Sequence, residues 1–198
     1  MSWVMIFFLT APLFLAPGLR AATPGESLLL LGQASERAAV ERFIPGSRRT
    51  ILYPATVDSY GFTRSLRSPG KGGWDHMITG SLERADLLLS TLDPLLVRDS
   101  KGVLQMAVLS ADSPLLATGV LTKGFLTKFS ALFGPELLIA VPSRNKVYVF
   151  PKLANRIPEM SATIRDDYLI SPMPVSTELF ELSKGGLKAV GTIDPDER

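Results

Sequence analysis

The chain has 198 residues, 46% hydrophobic and 20% charged, and its 21 basic and 19 acidic side chains give a net charge of +2. That length and balance fit one globular domain and exclude a coiled coil, a collagen-like repeat and the basic footprint of a nucleic-acid-binding protein. With no cysteine and a single histidine, His76, disulfide staples, thiolate metal sites and cysteine nucleophiles are excluded as well.

The amino-terminal segment carries the expectation about location. Residues 4 to 16 hold no charge and one polar side chain, Thr10. As a helix this run would cover about 20 Å, short of the roughly 30 Å hydrocarbon core, and Pro12 would break it in the middle. Pro17-Gly18 and then Leu-Arg-Ala-Ala place a cleavage point after Ala21, the layout of a secretory signal peptide. We therefore expect a signal peptide over 1–21 and a single α+β domain over 22–198, exported to the periplasm or the extracellular space. An uncleaved segment that tethers the domain to a membrane is the alternative. No later apolar run reaches spanning length, so no transmembrane helix is expected after signal removal. Loss of Arg20 with the signal lowers the net charge to +1, a near-neutral balance that argues against nucleic acid and other polyanions as partners.

Leu28 to Leu31 is a short apolar run interrupted by Gly32. The spacing of Ala39, Val40 and Phe43 predicts a helix over Ala34 to Phe43, ended by Pro45-Gly46. Arg49 to Val57 alternates as a strand, with Pro54 pointing to a sheet edge or a strand end. Ser65 to Gly73, rich in Gly, Ser, Arg and Lys, is read as an exposed loop. Ser81 is placed as the cap of a helix whose Leu82, Ala85, Leu88, Leu89 and Leu92 form one apolar stripe, stopped at Asp93-Pro94. Val103 to Leu109 reads as a buried strand.

Ser113-Pro114 then opens a helix that carries Leu121, Phe125, Phe129, Leu132 and Phe133 on one face. Gly119 and Gly124 weaken it by about 1 kcal/mol each relative to alanine. Glu136 to Val141 and Lys146 to Phe150 form a hairpin, with Tyr148 and Phe150 on one side and Val147 and Val149 on the other. Glu159 to Tyr168 is weakly helical. A second hairpin joins Thr177–Leu182 to Leu187–Ile193, and the tail from Asp194 is polar. The fold class expected is α+β, a mixed or antiparallel sheet with two carboxyl-terminal hairpins packed by amphipathic helices.

The segment Leu-Leu-Ile-Ala-Val-Pro-Ser-Arg-Asn-Lys-Val-Tyr-Val-Phe (137–150), followed by Pro-Val-Ser-Thr-Glu-Leu-Phe-Glu-Leu-Ser-Lys-Gly-Gly-Leu-Lys-Ala-Val (174–190), resembles the end of the YtpQ-like proteins. These form a bacterial family whose function is not established. With the helix before them (114–133) and the Arg-Thr-Ile-Leu-Tyr-Pro strand (49–54) in compatible places, the resemblance covers about 75 residues near the carboxyl terminus. Its motifs are hydrophobic hairpins, and it implies an α+β fold, with no active-site residue to carry over. The export signal departs from the family, whose members look cytosolic.

The chemistry available is narrow. His76 follows Trp74-Asp75, and on a strand Asp75 and His76 would face opposite ways. A serine triad would have to run through His76, and no Gly-x-Ser-x-Gly elbow marks a nucleophile. Ser100-Lys101 and Ser183-Lys184 read as solvated turns. Asp93, Asp99 and Asp112 sit at loop edges, and the adjacent Asp166 and Asp167 would project about 100° apart on a helix. No cofactor motif and no metal-ligand spacing is present.

Ser68-Pro-Gly-Lys-Gly-Gly73 is the one Gly-rich basic loop, a possible anion nest without a phosphate-loop spacing. Tyr60, Phe62 and Trp74 flank it. The candidate binding residues are Arg64, Arg67, Lys71, Trp74 and His76. Two functions follow: a non-catalytic domain that binds a protein or envelope component, or an exported hydrolase centred on His76 or a Ser–Lys pair.

Overall fold

The computed structural model describes residues 27–34, 42–58, 63–68, 73–154 and 157–193. The expected signal peptide over 1–21, Lys71, Tyr60, Phe62 and the tail from Asp194 lie outside them. The described residues form two antiparallel sheets and four α-helices.

In the smaller sheet, β1 (Ser27–Gln33) pairs with one side of β3 (Thr50–Val57). The other side of β3 is shared by β2 (Arg42–Phe43) and β4 (Thr63–Ser65). The larger sheet takes β5 (Leu95–Arg98), β6 (Leu104–Ser110), β7 (Leu137–Ser143), β8 (Lys146–Pro151), β9 (Glu178–Ser183) and β10 (Gly186–Thr192). Their order is β10-β9-β7-β8-β6-β5. The helices are α1 (Gly73–Thr91), α2 (Leu115–Thr118), α3 (Lys123–Phe133) and α4 (Ile157–Ile170). None of the described helices is long and apolar enough to cross a membrane.

The alternation in β8 divides the core as its sequence pattern requires. Val147 and Val149 join Leu109, Ile139, Phe125 and Phe129 on the face toward α3, while Tyr148 and Phe150 meet Ile164 of α4 on the other. A further cluster, including Leu30, Ile51, Tyr53, Ala85 and Leu115, joins the smaller sheet to α1 and α2. Both carboxyl-terminal hairpins are present, β7–β8 and β9–β10.

Four local expectations are corrected. First, α1 begins at Gly73, and Ser81 lies inside it as one of four buried positions, with Met77, Ala85 and Leu89. That spacing of four residues stacks them on one face. Ser81 Oγ accepts the Leu29 amide at 2.8 Å, and Thr118 donates to the Leu29 carbonyl at 3.0 Å, so helices seal the outer edge of β1.

Second, Pro54 sits mid-strand in the central β3. Its partner Leu29 turns both backbone groups away toward the helices, so the position without an N–H faces the gap between β2 and β4. There the Pro54 carbonyl accepts the Leu66 amide at 2.8 Å. Third, Arg42 and Phe43, placed at the end of a helix by the sequence pattern, form β2 opposite Leu52 and Ile51; the rest of that segment, 35–41, lies outside the described residues. Fourth, the expected helix after Pro114 divides into α2, a 3-10 turn over Gly119–Leu121, and α3, which Thr122 caps by accepting the Phe125 amide at 3.1 Å. Gly119 and Gly124 serve close packing there. A Cβ at Gly119 would lie 3.0 Å from Leu89 of α1, and one at Gly124 2.1 Å from Asp86.

Candidate functional site

Two arginine-bearing surfaces stand at opposite ends of β3. At the carboxyl end, Arg64 is exposed on β4 opposite Thr56, and Arg67 is exposed in the loop that follows. Trp74, in the first turn of α1, is half-buried, with the Arg42 guanidinium 5.2 Å above its ring. Asp75 and His76 belong to that helical turn rather than to a strand, and both are exposed. Of the residues selected from sequence, Arg64 stands on β4 and Arg67 in the loop after it, both exposed, while half-buried Trp74 and exposed His76 lie at the start of α1. The contact Trp74 makes is with Arg42, which the sequence pattern had not singled out.

Several of the other chemistry-bearing candidates have structural work. Asp167 receives both a Lys146 ion pair at 2.9 Å and the Tyr148 hydroxyl proton, which pins α4 to β8. Burial, the hydrogen bond to Asp167 and the charge of Asp167 push the Tyr148 phenol well above its ordinary range, so it stays neutral. Asp166, next to it, faces solvent. Asp99 ties the β5–β6 turn by accepting the Lys101 and Val103 amides and the Gln105 side chain, each at 2.9 Å. Ser100-Lys101 belongs to that turn. Ser183 accepts the Gly185 amide across the β9–β10 turn. Among the described residues no group of three or more His, Asp or Glu is placed to hold a metal.

Arg144, read from sequence as a hairpin-turn residue, is 3% exposed. Its guanidinium donates to the Leu31 carbonyl at 3.3 Å, to Thr63 at 2.6 Å and to the Tyr53 hydroxyl, and stands 5.5 Å from the Tyr53 ring. One side chain of the larger sheet thereby fastens β1, β3 and β4. The signal that could have found it is slight: an arginine in a two-residue turn between two largely apolar strands.

At the amino end of β3 the organising group is Glu178. Its carboxylate accepts from Ser47 Oγ at 2.6 Å, Thr50 Oγ1 at 2.7 Å, the Arg48 amide at 2.9 Å and Ser176 Oγ at 3.4 Å. Burial alone would raise its pKa, but these hydrogen bonds from Ser47, Thr50, Arg48 and Ser176 outweigh that and hold the carboxyl below its ordinary value. Two clefts flank the turn that Glu178 holds, and Arg48 and Arg49 line both. The first, of about 260 Å³, is also lined by Gln33, Tyr168, Ser176 and Thr177. The second, of about 410 Å³, is lined by Gly46, Glu178 and Gly191 of the opposing hairpin.

No family model matches the chain, and neither a curated protein nor a solved structure matches it. The residues therefore have to be read on their own geometry.

Proposed function

We propose that the chain is an exported, non-catalytic binding domain that engages a protein or envelope component through β4 and the first turn of α1. The observation that carries this is the Arg42–Trp74 stack; Arg64 on β4, Arg67 after it and His76 in α1 are all solvent-facing. A tryptophan held under a guanidinium is a preformed, partly desolvated anchor, and arginine and tryptophan are the residues that most often dominate interface energies. The reactive groups packed into the fold support the same reading, because buried Glu178 and Tyr148 and partly buried Asp167 and Lys146 direct their hydrogen bonds to protein partners. Export rests on the layout of residues 1–21. Kinship with the YtpQ-like proteins belongs to the same proposal and rests on 137–150 and 174–190.

The test is mild crosslinking of the tagged full-length protein in its own cells, followed by mass spectrometry. A reproducible envelope partner that disappears when Arg67, Lys71 and Trp74 are replaced is the expected result, with peptides that begin near Ala22. A partner retained in that variant, or none at all, overturns the surface assignment. Peptides from residues 1–21 in the native protein would overturn cleavage.

A further inference from the structure

The amino end of β3 has a different character from the partner surface, and we infer that its 260 Å³ cleft is a binding site for a small phosphate-bearing ligand. Among the described residues that line it, two are arginines and none is acidic. The volume lies just under the range of small-molecule sites, about 300 Å³ and above, so it suits one phosphate head with little attached.

The backbone that presents the two arginines is fixed on every side. The Arg48 amide donates to Glu178 at 2.9 Å and the Arg49 amide to Ser47 Oγ at 3.1 Å. The Arg49 carbonyl accepts the Ala34 amide at 2.7 Å. The opposite wall is fixed too, since the Val175 and Ser176 amides bond the Pro142 and Val141 carbonyls at 2.9 and 3.1 Å. A site whose backbone is set before binding loses less freedom when the ligand arrives.

The polar wall has a direction. Gln33 donates its amide proton to the Tyr168 oxygen at 2.9 Å, a bond that does not use the phenolic proton of Tyr168 and leaves it to donate to a ligand. A guanidinium offers a planar fork of N–H groups that matches phosphate oxygens in pairs. The Arg48 guanidinium with a phenol on a second wall suits a tetrahedral anion with three outward oxygens better than a planar carboxylate. Glu178 does not oppose this arrangement. It lines the adjoining cleft, and four donors from the protein already satisfy its charge.

The inference is independent of the partner surface at the other end of β3 and has its own test. The full-length protein is titrated with inorganic phosphate and with glycerol 3-phosphate by calorimetry, with acetate as the planar competitor. Saturable one-site binding of a phosphate is expected, weakened about tenfold or more by Arg48→Ala and about threefold by Tyr168→Phe. Arg48→Ala should keep the thermal midpoint, because the Arg48 side chain is exposed and its structural bond uses the backbone amide, whereas Tyr168→Phe also removes the acceptor of Gln33 and should lower the midpoint slightly. Arg48→Lys, which retains charge without the fork, should recover only part of the loss. Absence of saturation by about 10 mM phosphate, an affinity unchanged in Arg48→Ala, or acetate binding as tightly as phosphate would each overturn the assignment.

Discussion

At the amino end of β3, Arg48 and Arg49 sit on backbone held by Glu178, Ser47 and Ala34; at its carboxyl end, Arg64 and Arg67 sit on a three-residue strand and the loop after it. The first end is gripped by β9, which comes from more than 120 positions away in the chain and closes clefts around the cations. The second is made from one stretch of sequence, 63–76, with the Arg42 guanidinium of β2 over Trp74 as its long-range anchor. A concave site for a small ligand needs the first kind of construction, in which distant segments converge. An exposed patch for a macromolecule can be built locally, because the partner supplies the other wall.

If that contrast holds, the two ends should respond differently to substitution. The largest effect is expected where one side chain ties three strands of the smaller sheet. Arg144→Met strips donors from Leu31, Thr63 and Tyr53 and should cost about 3 kcal/mol in urea denaturation; an unchanged midpoint would mean that Arg144 does not fasten the sheets. Next comes Gly46→Ala at the cleft end. Gly46 has φ 76°, and a Cβ there would lie 2.7 Å from the Ala189 carbonyl oxygen. A loss of about 2 kcal/mol is expected, and a neutral result would show that the β10 side of the cleft yields easily.

Glu178→Gln should cost about 1 kcal/mol at neutral pH, and its pH dependence is the sharper readout. The folded carboxyl is held below its ordinary value, so the unfolded chain binds the proton more readily. The contribution is therefore complete above the unfolded value of about 4.3 and is lost as pH falls through the folded one. The stability difference between the parent and Glu178→Gln should shrink as pH falls below about 4. A difference constant down to pH 3 would remove Glu178 as an ionised clamp. The smallest effects belong to the other end. Arg67→Ala and His76→Ala should each move stability by no more than about 0.5 kcal/mol, and a larger loss would mean that these exposed residues hold the fold rather than a partner.

Legibility from sequence followed the range of the interactions concerned. The β7–β8 and β9–β10 hairpins and the two-sided alternation of Val147 to Phe150 were readable because the side-chain period of a strand is local. The turn roles of Asp99, Ser100 and Ser183 were readable for the same reason. The position of Ser81 was not, since a serine before an apolar stripe looks like a cap until β1 arrives to donate its amide. β5 also escaped the pattern, because an edge strand of four residues carries little periodicity. Of the candidate site, the stretch from Arg64 to His76 was visible as composition, whereas Arg42 over Trp74 depended on β2 pairing with β3.

The sequence by itself determined an α+β domain, its two carboxyl-terminal hairpins and its apolar faces, because each follows from spacings within a dozen residues. Only the tertiary structure decided which polar groups are spent on the fold and which face solvent. Glu178, Arg144 and Asp167 look alike in sequence to any surface charge. What separates them is burial against donors or acceptors from distant strands, and that is a property of the packed chain.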